Sequence, residues 1–218
     1  MKASDNSEFP TNEKPILLSS LYLAPVEYYS KLFRASNAQI EIHDHYTKQS
    51  YRNRCIIAGA NGPLPLSIPI EKPSDLACEM KDIRIADHGN WRHLHWNAIV
   101  SAYKSTPFFD YYADYFSPFY EKKIPFLLDF NELLRNTICR LLELSTPISF
   151  TESYVEPSDE NKSDFRETIH PKRDWRALDR DFEAKPYYQV FEQKFGFLPN
   201  LSIIDLLFNM GNESRLFL

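Results

Sequence analysis

Residues 43 to 54 read HDHYTKQSYRNR, which places two imidazoles, a carboxylate, an ammonium and two guanidiniums in one short stretch. Such groups move protons, hold metals or grip anions. His43 and His45 lie two apart, so on an extended chain they share one face and Asp44 takes the other. Lys48, Arg52 and Arg54 surround Asn53. Two guanidinium forks and an ammonium suit a phosphate or a carboxylate, and the carboxyl end of a strand is where open α/β sheets bind ligands. The competing expectation is a solvated hairpin face, the ordinary fate of clustered cations.

A second histidine pair, His93 and His95, sits in WRHLHW. On a helix, positions i and i+2 point roughly 200° apart, so only one of these two can face a given site. His95 shares a stripe with Trp91 and Leu94. It reads either as a core imidazole bonded to a backbone carbonyl or as a general acid or base at a cleft edge. A divalent metal could draw on His43, His45 and His95 from separate elements, but satisfied or surface histidines are the simpler expectation. No Walker A loop, G-x-G-x-x-G, G-x-S-x-G or HExxH is present, which removes the common NTPase, dinucleotide, hydrolase and metalloprotease signatures. Asp205, three residues after Ser202 at the head of an apolar run, reads as the acid of a capping box rather than a catalytic carboxylate.

These groups need a scaffold, and the chain can build one: 218 residues, 43% hydrophobic, suit one domain with a full-sized core. A net charge of −5 argues against a protein that neutralises nucleic-acid phosphates. Cys55, Cys78 and Cys139 are far apart with no C-x-x-C spacing, so neither a disulfide framework nor a zinc knuckle is expected. No apolar run approaches the roughly 18 residues of a membrane helix, and the polar opening is no signal peptide. A reducing cytoplasm is the expected compartment. Aromatics make up 15% of the chain; such rings can stack on sugars or bases, but they first serve to fill a core.

Hydropathy orders the elements. Ile16 to Leu23 reads as a strand. Pro25 opens a helix carrying Val26, Tyr29, Leu32 and Phe33, and Ala38, Ile40 and Ile42 alternate as a second strand. The expected fold is therefore a single α/β domain that opens with a parallel β-α-β unit. It continues with an edge β-hairpin, where CIIA and LPLSIPI flank GANG and the prolines exclude a central strand. A short strand over Asp82 to Ala86 follows. The second half is largely helical: Trp91 to Ser105, an aromatic stretch split at Pro118, and Pro125 to Leu144. PISF at 147–150 reads as a further strand, and LPNLSIIDLLFNMG as a short helix ending at Gly211. Residues 1–14 read as a flexible tail, 15–218 as the domain, and 155–185 as an irregular charged excursion.

At KQSYRNRCI, WRHLHWNAIVSAYKSTPFF and FLPNLSIIDLLFNMG, taken together, the sequence resembles the WbqC-like protein family of bacteria. The family's opening block has Gln-Pro before Tyr-Leu-Pro, whereas SSLYLAP keeps Tyr22 and Leu23 with serines before them. The resemblance implies a cytoplasmic enzyme of surface-polysaccharide (O-antigen-like) biosynthesis, with aminoacyl or acyl transfer, of glycine in particular, to a sugar as the expected reaction. The alternatives are a non-catalytic sugar-binding or assembly protein of the same pathway and a nucleotidyl-transferring enzyme. Lys48, Asn53, Arg54, Trp91, His95, Trp96 and Tyr103 fall on family positions; His43, His45 and His93 do not, which weighs against a metal. The expected catalytic residue is His95. The expected substrate-binding residues are Lys48, Asn53, Arg54, Tyr22, Trp91 and Tyr103. The expected partner is a small molecule, a nucleotide-linked or lipid-linked sugar, and no cofactor is indicated.

Overall fold

The computed structural model describes residues 15–72, 78–157 and 163–218. The expected tail therefore lies outside the described residues. Strand β1 (Ile16–Ser19), helix α1 (Val26–Arg34) and strand β2 (Ala38–Glu41) form the opening unit, and β1 pairs with β2 in parallel from Ile16 opposite Ala38 to Ser19 opposite Glu41. Pro25 precedes α1 in extended conformation, where its missing N–H costs the helix nothing. Helix α1 is buried nearly all round, Glu27 and Lys31 included. Those two polar residues are tied down: Lys31 Nζ donates to Asp179 at 2.7 Å, and Asn200 Nδ2 donates to Glu27 at 2.9 Å.

Strands β3 (Arg54–Gly59) and β4 (Gly62–Ser67) form an antiparallel hairpin closed by Ala60 and Asn61. Ile68 N–H donates to Asn53 at 2.8 Å, and hydrogen-bonded pairs alternate from there. Pro63 and Pro65, opposite Ala58 and Ile56, consequently fall on the non-bonded pairs, where a missing N–H breaks no rung. The outer edge of β3 is also covered, since Ser202 N–H donates to the Ile56 carbonyl at 2.8 Å.

Helices α2 (Trp91–Tyr103), α3 (Phe109–Glu121) and α4 (Leu127–Leu141) follow. Strand β5 (Ile148–Phe150) then adds beside β2 and strand β6 (Ser163–Asp164) beside β1, which completes a parallel sheet in the order β5-β2-β1-β6. Short helices α5 (Trp175–Leu178) and α6 (Glu192–Phe195) lead to α7 (Ile203–Met210), which packs on α1, α3 and β3. The molecule is a single α/β domain with a parallel opening unit, a hairpin and a largely helical second half. Among the described residues no helix is long and apolar enough to cross a membrane.

Three local expectations are corrected. Asp82 to Ala86 forms no strand: Met80–Asp82 is a 3-10 turn, and Arg84 and Ile85 make only single bridges, to Phe126 and Ile70. Pro118 does not split the aromatic stretch, because α3 runs through it to Glu121. Burial of Phe109, Tyr112, Phe116 and Tyr120 on one face outweighs the ~3 kcal/mol a helical proline costs.

The third correction concerns the capping box. Ser202 Oγ donates to the Leu23 carbonyl at 2.7 Å and gives α7 no side-chain cap. Bridging of Ser202 to Pro25 turns its hydroxyl away from the helix. The Asp205 carboxyl is fully buried and accepts from Tyr187 Oη at 2.7 Å and Gln189 Nε2 at 2.8 Å. Burial raises its pKa, against the pull of those bonds. Asp205 therefore fastens α7 to the 187–189 segment. Asp205→Ala should lower unfolding free energy by ~2–4 kcal/mol because it strands two buried donors. Ser202→Ala should cost ~1 kcal/mol. Denaturant titration of both variants checks the order, and an Asp205→Ala loss no larger than that of Ser202→Ala would contradict it.

Candidate functional site

Glu41, the last residue of β2, is fully buried. Its carboxylate accepts from the His43 N–H at 2.9 Å, from Thr151 Oγ and the Val155 N–H beyond β5, each at 2.9 Å, and from Arg166 Nη1 beyond β6 at 3.2 Å. Arg166 also grips Asp164, at 3.0 Å through Nε and 2.7 Å through Nη2. One carboxylate thus gathers the chain as it leaves three parallel strands. Above it opens a crevice of about 650 Å³ lined by His43, Asp44, His45, Thr47, Arg52, Glu79, Tyr154, Pro157, Asp164, Arg166 and Glu167. This is the end of the sheet where open α/β folds bind ligands.

The crevice is polar and internally paired. Arg52 and Asp44, both buried, form an ion pair. Burial pushes the Asp44 pKa up while Arg52 pulls it back. His43 Nδ1 lies 3.0 Å from Glu79, and Lys81 Nζ lies 2.7 Å from the same carboxylate. Hydrogen bonds from Lys81 and His43 hold the Glu79 carboxyl below the usual range. His43 Nδ1 also lies 3.2 Å from Lys81 Nζ, so it faces both a carboxylate acceptor and an ammonium donor. Four carboxylates line the walls against two guanidiniums, and each guanidinium already serves a carboxylate. Such a lining suits hydroxyl and amino groups better than a bare phosphate. Tyr154, 45% exposed with Arg166 stacked 5.4 Å from its ring centre, offers a flat platform.

Of the residues weighed from sequence, His43, His45 and Arg52 line the crevice, and the seven expected as catalytic or substrate-binding lie elsewhere. Tyr22, Trp91 and His95 meet in the core: His95 Nδ1 is 3.0 Å from Tyr22 Oη, which is 2.8 Å from Tyr120 Oη, and the Trp91 ring meets the imidazole edge-on at 5.1 Å. His95 is 6% exposed and also bonds the backbone of Ser67; burial pushes its pKa down to about 4. Tyr103 is fully buried and accepts from the Ala58 N–H at 3.1 Å. Asn53 Nδ2 closes the hairpin on the Ile68 carbonyl at 2.8 Å, and Arg54 Nε donates to Ser67 Oγ at 2.9 Å. Lys48 is exposed, beside Thr47 of the crevice wall. None of these seven lines the crevice.

Sequence reasoning passed over Asp44, Glu79, Asp164 and Arg166 as site residues, and raised Arg52 only as part of an anion clamp. The rule of strand carboxyl ends pointed to 43–54 as a stretch, but Asp164 ends and Arg166 follows a two-residue strand with no period to read.

Comparison with known sequences adds to this geometry. The model of the WbqC-like protein family matches residues 20–172, a span that includes every lining residue of the crevice. The chain belongs to the WbqC-like protein family. A curated relative, "Uncharacterized protein Rv1507c" of Mycobacterium tuberculosis (strain ATCC 25618 / H37Rv), is 26% identical over 227 residues, covering 93% of this chain and 96% of that protein. No solved structure matches the chain.

In this WbqC-like chain the state of His95 is open to direct measurement. Burial holds its folded pKa at about 4, below the ordinary histidine value of 6.5. Its contribution to stability is therefore complete above pH ~6.5 and is lost as pH falls through ~4. Nitrogen-15 NMR of the imidazole should show neutral His95 at pH 5.5, and a titration midpoint near 6.5 would contradict the buried assignment.

Proposed function

We propose that this chain is a cytoplasmic transferase of bacterial surface-polysaccharide (O-antigen-like) assembly, which holds a sugar in the crevice and passes an acyl or aminoacyl group to it. The observation that carries the reading is the Glu41-anchored crevice itself: carboxylates that accept from sugar hydroxyls, paired arginines that donate, and an exposed tyrosine for a sugar face. Family membership supports the pathway. Lys48, next to the crevice wall, is available for the phosphate of a nucleotide or lipid carrier.

In the transfer, a sugar hydroxyl or amine attacks the acyl carbonyl of an activated ester or thioester donor. A C–O or C–N bond forms, the bond to the donor's leaving group breaks, and the sugar's proton passes through His43 to that leaving group. Glu79, 3.0 Å from His43 Nδ1, orients the ring and stabilises the imidazolium.

Calorimetric titration with nucleotide-linked sugars, free sugars and ATP tests the site, and an acyl-transfer assay tests the chemistry. His43→Gln should lower transfer ~100-fold or more while sugar affinity holds, and Tyr154→Ala should weaken sugar binding by ~1 kcal/mol. Sugar binding indifferent to Tyr154→Ala, or binding of ATP alone, would overturn the reading. Sugar binding without transfer by the native chain would leave a non-catalytic sugar-binding protein.

A further inference from the structure

Glu27 on α1 is 1% exposed and Asp179 is 5% exposed, and their carboxyls are in hydrogen-bonding contact. Glu27 Oε2 accepts from Asn200 Nδ2 at 2.9 Å. Asp179 Oδ1 accepts from Lys31 Nζ at 2.7 Å and from the Asp181 N–H at 3.2 Å. The two oxygens left over, Glu27 Oε1 and Asp179 Oδ2, are buried, and no N–H or O–H among the described residues reaches either. Ionised carboxyls only accept hydrogen bonds, so a buried contact between two such oxygens is favourable only with a proton between them.

The surrounding groups leave room for that proton. Lys31 offers one positive charge to two acids. Tyr51, just before β3, faces Glu27 as a neutral phenol, its pKa raised by burial. His170 and Arg173 line a small pocket together with Glu27 and Asn200, but Arg173 is committed to Glu167 at 2.8 Å. Burial pushes the Glu27 pKa up to about 7, and the Asp179 carboxyl adds to the rise against the pull of Asn200 and Lys31.

Glu27 also sits at a joint of the fold. It grips the irregular stretch 163–202 at two points, Asp179 and Asn200, the second also through its own N–H at 3.0 Å to Asn200 Oδ1. The same stretch begins with Asp164, Arg166 and Glu167 of the crevice wall, and Lys31 Nζ lies 4.8 Å from the ring centre of Phe165 among them. We infer that Glu27 and Asp179 share a single proton, and that this proton latches residues 163–202, and with them one wall of the crevice, onto α1. Its loss sets two carboxylates against each other beside one lysine, and the stretch loosens. The latch goes beyond the transferase reading and holds for any ligand of the crevice.

A glutamate whose folded pKa stands above its ordinary value of 4.5 lends stability that is complete below pH ~4.5 and is lost as pH rises through ~7. His170, whose pKa burial lowers, acts in the opposite sense, since its contribution is lost as pH falls. The direction of the effect therefore separates the two groups.

Hydrogen exchange of the full chain, read at the amides of residues 163–202 and corrected for intrinsic rates, is the test. The opening equilibrium of this stretch should rise up to about tenfold per pH unit between pH ~5 and ~7 and level off above. Glu27→Gln, whose amide donates to Asp179 at any pH, should flatten that dependence and remove a protonated-carboxyl band from the infrared spectrum at pH ~5. Asp179→Asn, which supplies a donor to Glu27 from the other side, should flatten it as well and serves should Glu27→Gln not fold. No slope in the native chain, a slope that survives in a folded variant, or protection that grows with pH as His170 would dictate, would overturn the latch. An infrared spectrum unchanged by Glu27→Gln would overturn the shared proton, and the latch with it.

Discussion

The carboxylate of Glu41 is the constraint on which the rest of the site depends. A charge buried this completely is tolerated only when it is paired and hydrogen-bonded, and Glu41 collects two backbone N–H groups, one hydroxyl and one guanidinium. Those donors come from three separate segments, after β2, after β5 and after β6. Satisfying the charge therefore fixes where the three segments leave the sheet, and with them His43, Tyr154 and Arg166. Removing Arg166 would take the cation from the fully buried Glu41 carboxylate, a loss of ~3–5 kcal/mol, whereas removing Glu41 would leave Arg166 still paired with Asp164.

The same device recurs where the irregular part of the chain meets the sheet domain. Lys31 and Glu27 on α1 hold Asp179 and Asn200, and Asp205 on α7 holds Tyr187 and Gln189. Residues 163–202 carry little regular structure, so apolar periodicity alone would not place them. Buried polar and ionic contacts give that excursion a single position.

What periodicity encodes was legible in the sequence. The β-α-β opening, the hairpin with its outward prolines, and helices α2 and α4 follow from spacing and turn residues. Pro118 misled because local propensity competes with a wide buried stripe, and Asp205 misled because a capping pattern does not reveal a partner 18 residues upstream. The candidate site was legible as a stretch and not as side chains. Beyond Glu41 the chain leaves the sheet and passes through Gln49 with φ of 60°, so strand alternation no longer tells which side chains turn inward. Glu41 itself sits on the polar side of an alternating run, where solvent is the default expectation. The returning Thr151, Val155 and Arg166, 110 to 125 residues away, make it interior.

The central claim is that the Glu41–Arg166 contact organises the crevice as a unit. A double-mutant cycle of Glu41→Gln, Arg166→Met and the two combined, measured as unfolding free energy, tests it most directly. The account predicts a coupling of at least ~1–3 kcal/mol, with each single variant harmed more than the double would suggest by addition. Additive losses within ~0.5 kcal/mol would show that the two residues act independently, and would contradict it.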